Sequence, residues 1–187
     1  MAFPISLAGV YQKENAVLAL NALEELDRLG WTTTMEQRKD GLLHTSWKGR
    51  FTVINKKPLF IVDGAHNAGA ADKMAESVRH YFNGKKLIYI MGVFADKEYK
   101  IVLEKTAHFA EKIYTIETPD NPRALPAEEL AKAARVYNSS AESTKSIKDA
   151  VEKAFSCAGD DENSVILAFG SLSFIGALTD AVEEYVG

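Results

Sequence analysis

Hydrophobic residues follow helical spacing in the first part of the chain. They predict one helix over residues 15–29, which Gly30 ends. Thr34 can cap a second, short helix over residues 35–39, and the stretch 40–49, with a glycine near each end, predicts a loop. The apolar positions of the first helix are Val17, Leu18, Leu20, Leu23 and Leu26.

From residue 50 onward, apolar runs typical of strands alternate with amphipathic helical segments. The runs at 87–91 and 164–169 are apolar almost throughout, as in strands that are buried on both faces. This alternation predicts an α/β fold with three layers, a mostly parallel sheet covered by helices on both faces, and an N-terminal β-hairpin. The predicted strands cover 51–54, 59–62, 87–91, 112–116, 136–139 (weak) and 164–169, and the predicted helices cover 67–82, 97–110, 126–135, 143–157 and 172–186.

Composition narrows the class of protein. The formal net charge of -4, without a basic stripe, argues against nucleic acid or an anionic membrane as the main partner. No apolar run is long enough to cross a bilayer. The single cysteine, Cys157, excludes an intramolecular disulfide and fits a reducing compartment, so we expect a cytoplasmic location. With scattered histidines and no HExxH pattern, we expect no metal site in this chain.

Polar side chains follow the predicted strands where ligands bind in parallel sheets, at the carboxyl ends. After strand 59–62 come Asp63, which can hold ribose hydroxyls, and His66, which at a helix N-terminus can face a phosphate. The alternative is structural: Asp63 in an Asx turn and Asn67 as a helix cap.

Two further residues are candidates for anion binding. Arg50 follows Gly49 before a strand and suits a phosphate, although a solvated surface arginine is the alternative. Ser171 lies between strand 164–169 and the last helix, where free N–H groups and hydroxyls can bind an anion or form a capped turn. The sequence contains no GxxxxGK(S/T) pattern and therefore no P-loop.

Taken together and in order, six segments resemble the C-terminal part of folylpolyglutamate synthase, including its bifunctional dihydrofolate synthase form, in the Mur ligase superfamily. The match to the family's DGAHN is complete, whereas Tyr11 replaces a family histidine and Lys48 replaces a family proline. The segments are Leu7–Ala16 (LxGxHQxxNA), Lys48–Phe51 (PGRF), Asp63–Asn67 (DGAHN), Gly92 with Asp96-Lys97 (G…DKD), Pro119 with Arg123–Pro126 (P…RALP) and Gly170–Leu172 (GSL).

The resemblance implies the C-terminal domain of an ATP-dependent ligase that adds L-glutamate to folate or dihydropteroate through an acyl-phosphate intermediate. Residues 1–48 would be the helical tail of the central ATPase domain plus a linker, and residues 49–187 the C-terminal α/β domain. The family's P-loop and Mg²⁺-binding carboxylates lie in an N-terminal domain whose sequence this chain lacks. We therefore expect that domain as a partner, ATP and Mg²⁺ as cofactors, and no activity from this chain alone. By the same resemblance, His66 is the catalytic candidate near the terminal phosphates, Asn15, Arg50, Asp63 and Asn67 bind the nucleotide, and Ser171 lies on the glutamate side.

Two other functions remain open. A Mur-type cell-wall peptide ligase domain shares the superfamily, although the RALP and PGRF-like segments favour the folate branch. A stand-alone, non-catalytic nucleotide-binding module fits if this chain is the complete gene product. A receiver-like domain is disfavoured because no acidic pair follows the first strand. Dihydrofolate synthase, folylpolyglutamate synthase and the bifunctional enzyme fit the sequence equally well.

Overall fold

A six-stranded sheet forms the centre of the protein. The structure, a computed structural model, describes residues 2–187, so Met1 of the predicted segment 1–48 lies outside the described residues. The strand order is β1-β2-β6-β3-β4-β5, with β1 antiparallel to β2 and every other neighbouring pair parallel. The mostly parallel α/β fold and the N-terminal hairpin are thus confirmed. The strands are β1 (Thr52–Lys56), β2 (Leu59–Val62), β3 (Lys86–Met91), β4 (Lys112–Thr115), β5 (Ala141–Ser143) and β6 (Ser164–Phe169).

Helices cover both faces of the sheet and create two separate hydrophobic cores. One core packs residues of α3, α4 and α5 against the sheet, and the other packs residues of α6 and α7 against the opposite face. The central strand β6 is buried at all of its positions, as its unbroken apolar sequence predicted. The α-helices are α1 (Gln12–Arg28), α2 (Met35–His44), α3 (Ala68–Tyr81), α4 (Tyr99–Thr106), α5 (Ala127–Arg135), α6 (Ile147–Ala158) and α7 (Ile175–Val186).

Three sequence predictions are wrong in position: the loop 40–49, the strand 136–139 and the start of the helix 143–157. The predicted loop 40–49 is helical in its first half, because Thr34 and Gln37 form a capping box and α2 continues through Gly41 to His44. An exposed glycine inside a helix costs only about 1 kcal/mol, which does not stop the helix.

The weak strand predicted at 136–139 forms later, as β5. The Asn138 side chain donates hydrogen bonds to the carbonyls of Ala107 and Ala110 and fixes residues 136–140 as a turn. Since β5 takes Ser143, helix α6 begins at Ile147 behind its cap Ser146, and not at 143 as predicted.

Helices α1 and α2 precede the sheet domain and bury little of their own surface. Helix α1 buries Gln12 and Ala16, and α2 buries no residue. We call residues 2–48, which contain these two helices, the lead-in segment. In this segment Leu18 and Leu29 are 70% and 76% exposed, and Trp31 is 74% exposed. The expected exposed apolar face of the lead-in helix is therefore confirmed. Among residues 2–187, no helix has both the length and the apolar character needed to span a bilayer.

Candidate functional site

Three loops meet at the carboxyl edge of the sheet around the side chain of Leu172. A Cβ atom at Gly64 would lie 2.5 Å from Leu172 Cδ2, and one at Gly49 would lie 2.9 Å from the same atom. The Gly64 N–H also donates to the Gly49 carbonyl at 2.8 Å. Gly49 and Gly64 thus allow their loops to pack against Leu172, and Gly170 packs against the loop after β3, where a Cβ atom would lie 2.4 Å from the Gly92 carbonyl oxygen.

The loops after β3 and β4 join the same edge farther along the sheet. Arg123 Nη2 lies 2.6 Å from Asp96 Oδ2, and this ion pair connects the two loops. Both side chains are about half exposed, so the pair adds little stability. The sequence prediction that these strand-end loops converge on one edge is confirmed.

Asp63 is the buried centre of this edge. Its side chain is 3% exposed and accepts three hydrogen bonds from the protein. The Phe51 N–H and the Tyr11 hydroxyl both donate to Oδ2 at 2.9 Å, and the Ala65 N–H donates to Oδ1 at 2.8 Å. Through these three hydrogen bonds Asp63 connects its own turn to the loop that carries Arg50 and to the lead-in segment.

The backbone of Phe51, which donates to Asp63, has an unusual conformation. Phe51 has φ of 51°, in the left-handed region that residues with a Cβ rarely adopt. Such a conformation persists only where its surroundings enforce it. Here the Phe51 N–H is held by Asp63 and the Phe51 ring is buried beside Phe82. The turn directs the preceding residue, Arg50, towards the site.

Two opposing effects act on the pKa of Asp63. Burial raises the pKa of the Asp63 carboxyl above its ordinary value, while its hydrogen bonds to Tyr11, Ala65 and Phe51 and the nearby Arg50 guanidinium act in the opposite direction. Burial and the Asp63 carboxylate also raise the pKa of Tyr11. At neutral pH the phenol is therefore protonated and serves as a hydrogen-bond donor.

His66 and Asn67 occupy the turn that leads into α3. His66 Nδ1 lies 2.8 Å from the Gly64 carbonyl. A carbonyl only accepts, so Nδ1 is the donor in this contact. Asn67 caps α3, because its Oδ1 accepts from the Ala70 N–H at 2.9 Å. The capping alternative for Asn67 is confirmed, and its amide nitrogen remains exposed at the edge.

A cavity of about 650 Å³ lies between the lead-in segment and the sheet domain. Its walls bring together three of the predicted nucleotide-binding residues, Asn15, Arg50 and Asp63. Leucines, alanines and Trp47 give it an apolar side. Its full lining is Ile5, Leu7, Tyr11, Gln12, Glu14, Asn15, Ala16, Ala19, Leu42, Thr45, Trp47, Arg50, Asp63, Gly69, Ala70 and Lys73.

Lys73 is a cavity residue that the sequence analysis missed. It lies on α3, and its Nζ is 2.8 Å from Glu14 of α1, so the ion pair spans the cavity wall. Lys73 belongs to no sequence motif. The only signal that could have suggested it is its position on α3, the helix that starts at the site. Within residues 2–187, by contrast, no carboxylate lies within ion-pair distance of the Arg50 guanidinium.

The remaining predicted site residues lie outside this cavity. His66 and Asn67 belong to the neighbouring turn, and Ser171 is 5% exposed in the loop that follows β6. Ser171 Oγ shares a hydrogen bond with Ser173 Oγ at 2.7 Å and accepts from the Ser173 N–H. In the described part of the chain, no three histidine, cysteine or acidic side chains are grouped as metal ligands.

This arrangement defines an α/β domain with a cavity at the carboxyl edge of its mostly parallel sheet, the edge where ligands bind in such folds. Residues 49–172 match the family described as Mur ligase, glutamate ligase domain, and the chain belongs to that family.

Known relatives agree with this assignment. The chain is 29% identical over 171 residues to a dihydrofolate synthase/folylpolyglutamate synthase of Bacillus subtilis, covering 91% of this chain and 39% of that protein. It resembles Mycobacterium tuberculosis folylpolyglutamate synthase complexed with ADP and AMPPCP, with TM-score 0.81, 25% identity, and 97% and 41% of the two chains covered. It also resembles the Thermotoga maritima folylpolyglutamate synthase, with TM-score 0.74, 26% identity, and 96% and 40% covered. The chain thus spans about two fifths of the length of each of these proteins.

Proposed function

We propose that this chain is the C-terminal part of a cytoplasmic, ATP-dependent ligase that joins L-glutamate to folate or dihydropteroate. The observation that carries the proposal is the single cavity lined by Asn15, Arg50 and Asp63 in a member of the glutamate ligase family. The relatives named dihydrofolate synthase/folylpolyglutamate synthase and folylpolyglutamate synthase support the folate branch over a Mur-type cell-wall ligase.

The nucleotide fits the cavity by size and by chemistry. A volume of about 650 Å³ accommodates a ligand of this class, and the wall is apolar with a few polar groups. In the proposed arrangement Asn15 contacts the adenine, Asp63 accepts a ribose hydroxyl, and Arg50 contacts a phosphate. The described residues offer no metal-ligand cluster, and we assign the Mg²⁺ ligands to the proposed ATPase domain of the full-length ligase.

His66 and Ser171 are assigned to the reacting end of the ligands. His66 presents Nε2 from the start of α3, where helix N–H groups favour negative charge, and we assign it to the terminal phosphates, with Asn67 beside it. Ser171 is assigned to the glutamate side. In this chemistry a carboxylate receives the terminal phosphoryl group of ATP, the glutamate amine attacks the acyl phosphate, and inorganic phosphate leaves.

The lead-in segment supports an ATPase domain as the partner. One stripe of α1 is apolar at helical spacing and exposed: Leu18, Ala22, Leu26 and Leu29. Unpartnered apolar surface of this kind marks an interaction site. The occupant we propose is the ATPase domain of the full-length ligase. Residues 1–48 would then belong to that domain and its linker, and the family match begins at residue 49.

Leu18→Glu tests this contact. Leu18 is 70% exposed on a helix, so we expect the substitution to leave the chain's free energy of unfolding within about 0.5 kcal/mol of wild type. In a full-length ligase that carries this chain, a buried charge at the domain contact should lower glutamate ligation at least about threefold. The matched control is Val136→Glu, which is equally exposed in a turn outside the lead-in segment. Equal activity of both variants would contradict the domain contact.

Glutamate incorporation decides the proposed function. A full-length ligase that carries this chain should join radiolabelled L-glutamate to dihydropteroate or to a folate when ATP and Mg²⁺ are present. Residues 1–187 alone should not, because they lack the groups that cradle the phosphates. Glutamate incorporation into a cell-wall precursor instead would favour the Mur-type alternative.

One observation favours a second candidate, a stand-alone nucleotide-binding module. The fold of residues 2–187 by itself brings Asn15, Arg50 and Asp63 to one cavity. If the module is correct, residues 1–187 bind ATP saturably without a partner. An ATP titration that shows no saturation at millimolar concentration would rule out this candidate.

A further inference from the structure

The Tyr11 hydroxyl occupies the acceptor that a nucleotide sugar would use. Tyr11 and Asp63 both line the cavity, and the phenol donates to Asp63 Oδ2 at 2.9 Å. The other two donors to Asp63 are backbone N–H groups of Phe51 and Ala65, which are buried and fixed by their turns. Of the three donors, the half-buried Tyr11 side chain is the one that can rotate away.

We propose that Tyr11 is a displaceable latch: its hydroxyl holds Asp63 and the lead-in segment together until a ribose hydroxyl of the nucleotide takes its place. The latch rests on the proposed function, because it requires a ribose at Asp63. In this proposal Tyr11 lowers the affinity for the nucleotide, and the position of α1 depends on whether a nucleotide is bound.

The exchange is chemically balanced. A ribose hydroxyl and a phenol are both neutral O–H donors, so Asp63 keeps three hydrogen bonds before and after the exchange. Without a replacement, Asp63 Oδ2 would keep only the Phe51 N–H as a donor, and the ribose hydroxyl restores the second hydrogen bond. Tyr11 lines the cavity and is only half buried, so the released phenol can bind water.

The remaining anchors of the lead-in segment are weak enough for the latch to matter. The Val10 N–H donates to Ser77 Oγ at 3.3 Å, and Glu14 pairs with Lys73, where the glutamate is 69% exposed. Exposed ion pairs contribute little to stability. Helix α1 itself buries Gln12 and Ala16 and exposes most of its other side chains. Loss of the Tyr11 contact should therefore loosen the start of α1.

The two events are linked in both directions. If a sugar hydroxyl must displace Tyr11, then the latch weakens nucleotide binding by the same factor by which the nucleotide weakens the latch. With the adenine on Asn15, a bound nucleotide would replace the direct contact between the lead-in segment and Asp63 by a contact through the nucleotide, and so change how α1 is held against the sheet domain. This couples occupancy of the cavity to the position of α1 through one hydroxyl group.

Tyr11→Phe in residues 1–187 tests the latch in two ways, with Tyr185→Phe on the exposed surface of α7 as the matched control. The first measurement is amide hydrogen exchange without nucleotide. We expect faster exchange over residues 12–20 in Tyr11→Phe and unchanged exchange in the sheet, with the control like wild type. Unchanged exchange at the start of α1 would overturn the latch.

The second measurement compares ATP with 2′,3′-dideoxy-ATP, which lacks the sugar hydroxyls. Tyr11→Phe should bind ATP about fivefold more tightly than wild type and bind the dideoxy analogue with unchanged affinity. Equal changes for both ligands would mean a purely structural role, and weaker ATP binding would mean that Tyr11 contacts the sugar itself. Either result overturns the latch, as does failure of every variant to bind ATP. Glutamate incorporation by the full-length ligase would still decide the proposed function in that case.

Discussion

Replacing Asp63 by alanine is expected to lower the chain's free energy of unfolding by about 3 kcal/mol and to lower glutamate ligation by the full-length ligase at least about tenfold. The stability loss follows from the two buried N–H groups, of Phe51 and Ala65, that would lose their acceptor. A buried donor without a partner costs about 1–3 kcal/mol. The loss of activity follows from removal of the proposed ribose acceptor and from release of the Phe51 turn that directs Arg50.

Chemical denaturation of residues 1–187 and glutamate incorporation by the full-length ligase measure the two effects. Asp180→Ala is the matched control, because Asp180 lies exposed on α7, and it should change stability by no more than about 0.5 kcal/mol. Destabilisation with wild-type ligation would show that Asp63 only supports the fold. Wild-type values for both would contradict its place at the centre of the site.

The fold was predictable because its signals are local. Strands β3 and β6 are buried on both faces, and their nearly continuous apolar sequences indicate this burial without any information from distant residues. The hairpin of β1 and β2 follows from two short runs with a turn between them. Strand β5 was misplaced because it is three residues long and polar at two of them, so nothing in its sequence distinguishes it from a loop. Its position depends on Asn138, which reaches carbonyl groups about thirty residues away.

The candidate site was predictable only in part. Asp63, His66 and Asn67 stand together in a motif at a strand end, so their neighbourhood could be inferred. The hydrogen bond between Tyr11 and Asp63 joins residues 52 positions apart, and no local pattern encodes it. Lys73 reaches the cavity through the direction of α3 and its pairing with Glu14. Contacts between distant segments depend on how the lead-in helix packs, which a single sequence does not reveal.

The site residues differ in how much they contribute to the stability of the fold. Asp63 has three protein hydrogen bonds and is buried, so its loss affects both fold and function. His66 has one, to the Gly64 carbonyl, and is only half buried. Stability and activity should therefore separate at His66, although they change together at Asp63.

His66→Ala is expected to lower glutamate ligation by the full-length ligase at least about tenfold while the free energy of unfolding of residues 1–187 stays within about 1 kcal/mol of wild type. Water can replace the lost hydrogen bond at the half-buried turn, but nothing replaces Nε2 at the proposed phosphate site. His108→Ala is the control: His108 is exposed just before β4, at the amino edge of the sheet, and its loss should leave ligation unchanged. If His66→Ala and His108→Ala ligate glutamate equally fast, His66 has no role in catalysis, and the helix N–H groups of α3 would have to bind the phosphates without it.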